Sequence, residues 1–107
     1  MKNMRNNPEW FIYLDMIGVD LDAKHKTNPT WTTFKPIGKC VDETKYTLIM
    51  EQHQHTKIFI KKEYIFRVWL PQDDGSSIQL EFDGSKIVGR PEQRIKLIRK
   101  KLHKKYH

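Results

Sequence analysis

Val19-Asp20-Leu21-Asp22-Ala23-Lys24 alternates apolar with charged residues, and that period of two decides the fold. In an extended chain successive side chains point to opposite faces, so Val19, Leu21 and Ala23 share a core face and the charged residues share a wet one. Working outward, Thr27-Asn28-Pro29-Thr30 ends this strand in a turn. Strands are then expected over Pro36 to Asp42 and Thr47 to Glu51, joined through Asp42-Glu43-Thr44-Lys45. Gln52-His53-Gln54-His55 makes the next bend, into a strand from Lys57 to Lys61. Ile65 to Leu70 is apolar on both faces, and Ile78, Leu80 and Phe82 alternate with Gln79 and Glu81. Asp83-Gly84 is the strongest two-residue hairpin signal and predicts a last strand over Ser85 to Val88. The fold is therefore expected to be mainly β, with six or seven short antiparallel strands. In so small a domain they are expected to roll into a closed barrel, which removes exposed edges and closes one core.

Helices are expected on both sides of the barrel. Asn7-Pro8-Glu9 supplies a cap, a first-turn proline and a first-turn acid, and predicts a helix over 8–17 that Gly18 stops. Trp10, Tyr13, Leu14 and Ile17 form one stripe of it, but Phe11, Ile12 and Met16 lie elsewhere, so the helix is apolar nearly all round. Either it is pinned in a groove between barrel and C-terminal helix, or one face docks a partner through Trp10, Phe11, Tyr13 and Leu14. At the other end, Gly89-Arg90-Pro91-Glu92-Gln93-Arg94-Ile95 and the basic run after it predict a helix over 90–105. Ile95, Ile98, Leu102 and Tyr106 fall on one stripe. Arg94, Lys96, Arg99, Lys100, Lys101, Lys104 and Lys105 occupy the rest of the circumference.

The 107 residues carry a net charge of +7. Eight of the twenty Lys and Arg residues, but only one of the thirteen acids, lie in 90–107, so the whole excess resides there. A solvated helix face is one reading of such a run. The neutrality of everything before Arg90 favours the other, a phosphate-bearing partner. The candidate RNA contacts are Lys24, Lys26, Asn28, Lys39, Arg90, Arg94, Lys96, Arg99, Lys100, Lys101 and Lys104, with Lys35, Lys61, Lys62 and Arg67 extending the patch across the barrel. Trp31 and Phe34, beside the polar loop Thr27 to Thr33, suit stacking on an unpaired base, or else are core.

The length predicts one domain over 1–107: a flexible lead over 1–6, the helix at 8–17, the barrel over 19–88 and the basic helix at 90–105. No apolar run approaches the roughly 20 residues of a membrane span, and the N-terminus lacks a signal peptide's apolar stretch, so a cytoplasmic protein is expected, without a membrane partner. The single cysteine, Cys40, is expected to be a small buried hydrophobe. No nucleophile motif, phosphate loop or zinc-ligand pattern occurs, so neither catalytic nor metal-binding residues are assigned. His53-x-His55 supplies only two imidazoles, and Asp73-Asp74-Gly75 reads as a turn.

Three stretches in order carry a family likeness. They are Leu14-Asp15-Met16-Ile17-Gly18, then Thr27-Asn28-Pro29 with Val41-Asp42-Glu43-Thr44-Lys45-Tyr46-Thr47-Leu48, and then Gly84 with Gly89 to Ile95. Their order and spacing resemble ribonuclease P protein component 1 of archaea, the relative of the eukaryotic twenty-nine kilodalton subunit, over roughly Leu14 to Lys101. The resemblance implies an Sm-like or SH3-like barrel that binds ribonuclease P RNA and pairs with a zinc-ribbon ribonuclease P subunit among other ribonuclease P proteins. It implies indirect contact with precursor tRNA, whose 5′ leader the RNA removes. The RNA would use Mg²⁺, and this chain would bind no cofactor and hold no active site. The alternatives are a ribosomal or translation-associated small barrel and a stand-alone nuclease.

Overall fold

The computed structural model describes residues 4–96. One six-stranded antiparallel sheet is formed by β1 (Asp20–His25), β2 (Lys35–Glu43), β3 (Thr47–Gln52), β4 (His55–Ile60), β5 (Tyr64–Pro71) and β6 (Ser77–Asp83), in the order β4-β3-β2-β1-β5-β6. Leu21 and Ala23 face the core as their alternation requires, with Ile37, Leu48, Met50, Phe59, Phe66, Val68, Leu70 and Phe82 from the other strands. Cys40 is buried among them, and burial, followed by the nearby Glu43 carboxylate, raises its thiol pKa to about 11.

The sheet is curled but not closed. Three residues, Lys61–Glu63 in a 3-10 turn, carry the chain from the end of β4 to the start of β5, four places away in the strand order. In a flat sheet those strands would lie about 19 Å apart, at about 4.8 Å per spacing. Four extended residues span at most about 14 Å, so the sheet must bend round to bring them together. No ladder joins β4 to β6 among the described residues, and the expected closed barrel is corrected to an open one. At the seam the two ends touch without a ladder. The Lys61 amide prolongs the β3–β4 pairing by donating to the Tyr46 carbonyl at 2.9 Å, and the Lys61 carbonyl abuts Gly84 just after β6, where an added Cβ would sit 1.7 Å from its oxygen.

The Asp83-Gly84 hairpin and the seventh strand are absent. Residues Gly84–Ile87 form a 3-10 turn, capped by the Asp83 carboxylate, which accepts from the Ser85 amide at 2.8 Å, and Ile87 is fully buried. Aspartate is as good a cap as it is a turn residue, and burial of Ile87 decides between them. The two-residue hairpin lies instead at His53-Gln54, between paired Gln52 and His55; both residues have the positive φ (53° and 67°) that a type I′ turn requires.

The N-terminal helix is shorter than expected. α1 spans Pro8–Phe11, with the Asn7 side chain accepting from the Glu9 amide at 2.9 Å. Beyond it, the Ile12 and Leu14 carbonyls, which a continuing helix would use internally, accept from Arg94, and the Met16 amide donates to Glu43. Tertiary partners have taken the hydrogen bonds that would have extended the helix. In the lead before it, Met4–Asn6 form a 3-10 turn, Arg5 donates to the Asp15 carbonyl at 3.0 Å, and Gln72 donates to the Asn6 carbonyl at 2.9 Å. A second helix, α2, begins at Pro91 and is described through residue 96.

Candidate nucleic-acid interface

Where the end of β2, the turn after β4 and the start of α2 meet lies a buried ion triad. Glu43 ends β2, Lys61 opens the turn after β4, and Arg94 lies in the first turns of α2. The Glu43 carboxylate sits 2.7 Å from the Lys61 ammonium and accepts from the Arg94 guanidinium at 2.7 and 3.1 Å, and from the Met16 amide at 2.9 Å. Two cations against one anion leave an excess positive charge away from water, which is stable only if every remaining donor finds an acceptor. They do. Lys61 donates to the Thr44, Lys45 and Gly89 carbonyls, and Arg94 to those of Ile12, Leu14, Ile87 and Gly89. Desolvation, aided by Arg94, lowers the Lys61 pKa from its ordinary value, while Glu43 pulls the other way.

Arg94 is only 2% exposed, so its placement among the RNA contacts is corrected: it clamps α2 to the N-terminal turn and to β2, and presents nothing to a phosphate. Ile95, expected on the packing stripe of the helix, is 38% exposed in its place. Lys61 leaves the patch for the same reason as Arg94. One sign of this was readable, because Lys61 lies two residues after Phe59 and so on the core-facing side of β4. Glu43 carried no such sign, because a register shift between Cys40 and Asp42 breaks the alternation of β2 before it.

Around the triad the backbone gathers a basic collar. Gly89 donates to the Lys45 carbonyl at 2.8 Å, Lys61 donates to the Tyr46 carbonyl, and Gly84 lies on Lys61. Lys45, Lys62, Lys86 and Arg90 therefore leave neighbouring segments, and all four side chains are exposed. Lys96 is exposed on α2 as well. None of the five is ion-paired among the described residues, although the Lys45 ammonium lies 5.1 Å from the Tyr46 ring centroid; Glu92 and the half-buried Glu63 are the nearby acids in the chain. Lys62 was named from the sequence as an extension of the patch, whereas Lys45 and Lys86 were not named, since only the fold brings them beside Arg90.

The other named residues are more occupied. Lys26 pairs with Asp83 at 2.5 Å. Lys39 stands in register between Asp20 and Glu51. The Lys24 ammonium lies 5.1 Å from the Phe34 ring centroid, and Arg67, paired with Asp22 at 2.9 Å, covers the same ring. The Asn28 carboxamide oxygen accepts from the Thr30 amide and hydroxyl, fixing the loop, and His25 Nδ1 accepts from the Thr27 and Asn28 amides. Arg99, Lys100, Lys101, Lys104 and Lys105, and the apolar positions Ile98, Leu102 and Tyr106, lie outside the described residues. Trp31 is half-buried, its indole N–H donating to the Ala23 carbonyl at 2.9 Å. Within the proposed docking set, Phe11 is 1% and Trp10 8% exposed, so both are buried, while Tyr13 and Leu14 are half-buried; Ile17, outside that set, is exposed. His53 and His55 gain no third ligand: no group of three or more His, Cys, Asp or Glu suited to a metal occurs among the described residues. No helix among them is long and apolar enough to cross a membrane.

A curled antiparallel sheet, pinned by a buried ion triad and ringed at one end by unpaired cations, defines a small β domain with a cationic end. The chain belongs to the ribonuclease P/MRP subunit p29 family, whose model matches residues 9–97. Among curated relatives, ribonuclease P protein component 1 of Desulfurococcus amylolyticus is 33% identical over 96 residues, covering 89% of this chain and 98% of the relative. Its namesake in Methanocaldococcus jannaschii is 33% identical over 82 residues, covering 77% and 80%. That of Methanosarcina mazei is 28% identical over 99 residues, covering 87% and 88%. The family and the shared name of these archaeal relatives support a ribonuclease P protein subunit over the ribosomal alternative.

Proposed function

We propose that this chain is an RNA-binding subunit of ribonuclease P, which supports the catalytic RNA as it removes the 5′ leader of precursor tRNA. The observation that carries this reading is the collar of Lys45, Lys62, Lys86 and Arg90, exposed and without acid partners among the described residues, where the basic sequence 90–107 begins. Cations placed so offset phosphate repulsion within a folded RNA, and binding releases the RNA's condensed counterions. The hydrolysis and its Mg²⁺ belong to the RNA, and this chain contributes no reacting group. The zinc-ribbon subunit meets the N-terminal turn, through Tyr13, Leu14 and the exposed Ile17 rather than through Phe11; other ribonuclease P proteins and precursor tRNA come to the same assembly. The place of work is the cytoplasm.

The test is the salt dependence of binding to ribonuclease P RNA. Replacing Lys45, Lys62, Lys86 and Arg90 by Gln is expected to flatten the plot of log affinity against log salt by about 3, at about 0.7–0.9 for each phosphate that is no longer neutralised. An unchanged slope overturns the collar as the RNA-binding surface.

A further inference from the structure

A second surface is built for an anionic, flat ligand. Between the hairpin at His53-Gln54 and the loop before β2 lies a cavity of about 410 Å³, within the range of about 300–1,000 Å³ usual for small-ligand pockets. Trp31, Phe59 and Met50 line its floor, and Lys35, Lys57 and His55 its rim. The strand period explains the arrangement. His55, Lys57 and Phe59 alternate along β4, so the two polar residues continue the core-facing row beyond the last buried residue, where the open sheet leaves the interior uncovered.

Two features separate it from three other hollows among the described residues. Acids line two of those: Asp73 and Asp74 in one, Asp20 and Asp22 in another. A third holds Lys26, which Asp83 already neutralises. No acid lines the cavity at Trp31. Its aromatic floor is also held in place: the Trp31 indole is anchored on the Ala23 carbonyl, and its ring meets Phe59 and Tyr64 edge-on at 6.2 and 5.4 Å between centroids. The Lys35 ammonium lies over the Trp31 ring at 5.4 Å, on a flexible stem that can swing aside.

We propose that this cavity holds one unpaired nucleotide of an RNA strand, its base against Trp31 and its phosphate taken by Lys35, Lys57 and His55. The proposal rests on the RNA-binding reading above but uses a surface separate from the collar. Stacking accepts any base, since each has a π-face, and the cations supply affinity for the strand.

The experiment uses the full chain and two probes: an unstructured oligouridylate of about eight nucleotides, and a strand of equal length and charge without bases. The reporter is the Trp31 indole N–H resonance, assigned by its loss in Trp31→Phe. Oligouridylate is expected to shift that resonance and the abasic strand to leave it in place. Replacing Lys35 and Lys57, both exposed, by Gln is expected to weaken oligouridylate binding by about ten-fold. If oligouridylate or ribonuclease P RNA binds and the Trp31 resonance stays put, or if the abasic strand moves it equally, the cavity is not a base site, while RNA binding stands. If neither RNA binds the chain at all, the RNA-binding reading fails and the cavity proposal with it.

Discussion

Replacing Glu43 by Gln tests the triad with almost no change of shape. The carboxylate receives four polar contacts, from Met16, Lys61 and two nitrogens of Arg94, at 2.7 to 3.1 Å. A carboxamide keeps one acceptor oxygen and turns an NH₂ donor toward donors, so the hydrogen bonding on that side fails and Lys61 and Arg94 are left as two buried cations without a counter-charge. Charge-assisted hydrogen bonds contribute about 1.5–3 kcal/mol each, and breaking a buried ion pair by removing one partner costs about 3–5 kcal/mol. The expected loss is therefore about 3–5 kcal/mol, at least about a fifth of the roughly 5–15 kcal/mol that holds a domain together. In a chain of this size it should lower Tm by about 12 °C or more. Urea unfolding followed by tryptophan fluorescence measures it. Lys61→Met supplies the contrast, because it leaves Glu43 and Arg94 as a one-to-one pair, and is expected to cost less than Glu43→Gln. A loss below about 1 kcal/mol for Glu43→Gln, or a larger loss for Lys61→Met, refutes the assignment of Glu43 as the sole neutralising charge.

Phe11→Ala is expected to destabilise the isolated chain by about 3–5 kcal/mol, as for a buried aromatic, and an unchanged unfolding midpoint would return Phe11 to the partner surface. Gly84→Ala is expected to prevent normal folding or to shift the turn, seen as altered amide resonances around Lys61, because its Cβ would overlap the Lys61 carbonyl. The thiol of Cys40, buried and with its pKa raised to about 11, should resist alkylation at neutral pH in the native state and react once unfolded; fast native labelling would contradict the packing. Burial works to raise the Asp83 pKa, but the hydrogen bonds from Lys26 and Ser85 outweigh it and hold the group below its ordinary value. Its stabilising contribution is thus complete above the ordinary carboxylate pKa and lost as pH falls through the lower folded value; Lys26→Met should flatten that part of the acid unfolding curve.

What the sequence disclosed depends on how far apart the deciding residues lie. The alternation over Val19 to Lys24 is local, and Leu21 and Ala23 are buried as it demands; the Asn7 cap is local too, and it forms. The end of α1 is not local. Arg94, 82 residues beyond Ile12, takes that carbonyl, and Glu43, 27 residues beyond Met16, takes that amide, so the periodicity of 8–17 predicted a helix that its own hydrogen bonds do not complete. The hairpin at His53-Gln54 carries neither glycine nor asparagine, and its left-handed backbone was therefore invisible, while Asp83-Gly84 showed the residues of a hairpin and made a cap. Arg94 is the instructive case. Alone on a helical wheel it belongs with the lysines, but a guanidinium offers five donors, and the fold meets it with a carboxylate and four carbonyls. An arginine inside a basic run is therefore no sign of a phosphate contact by itself. The exposed collar of Lys45, Lys62, Lys86 and Arg90, without ion pairs among the described residues, is the stronger sign, and only backbones that meet through Lys61 and Gly89 assemble it.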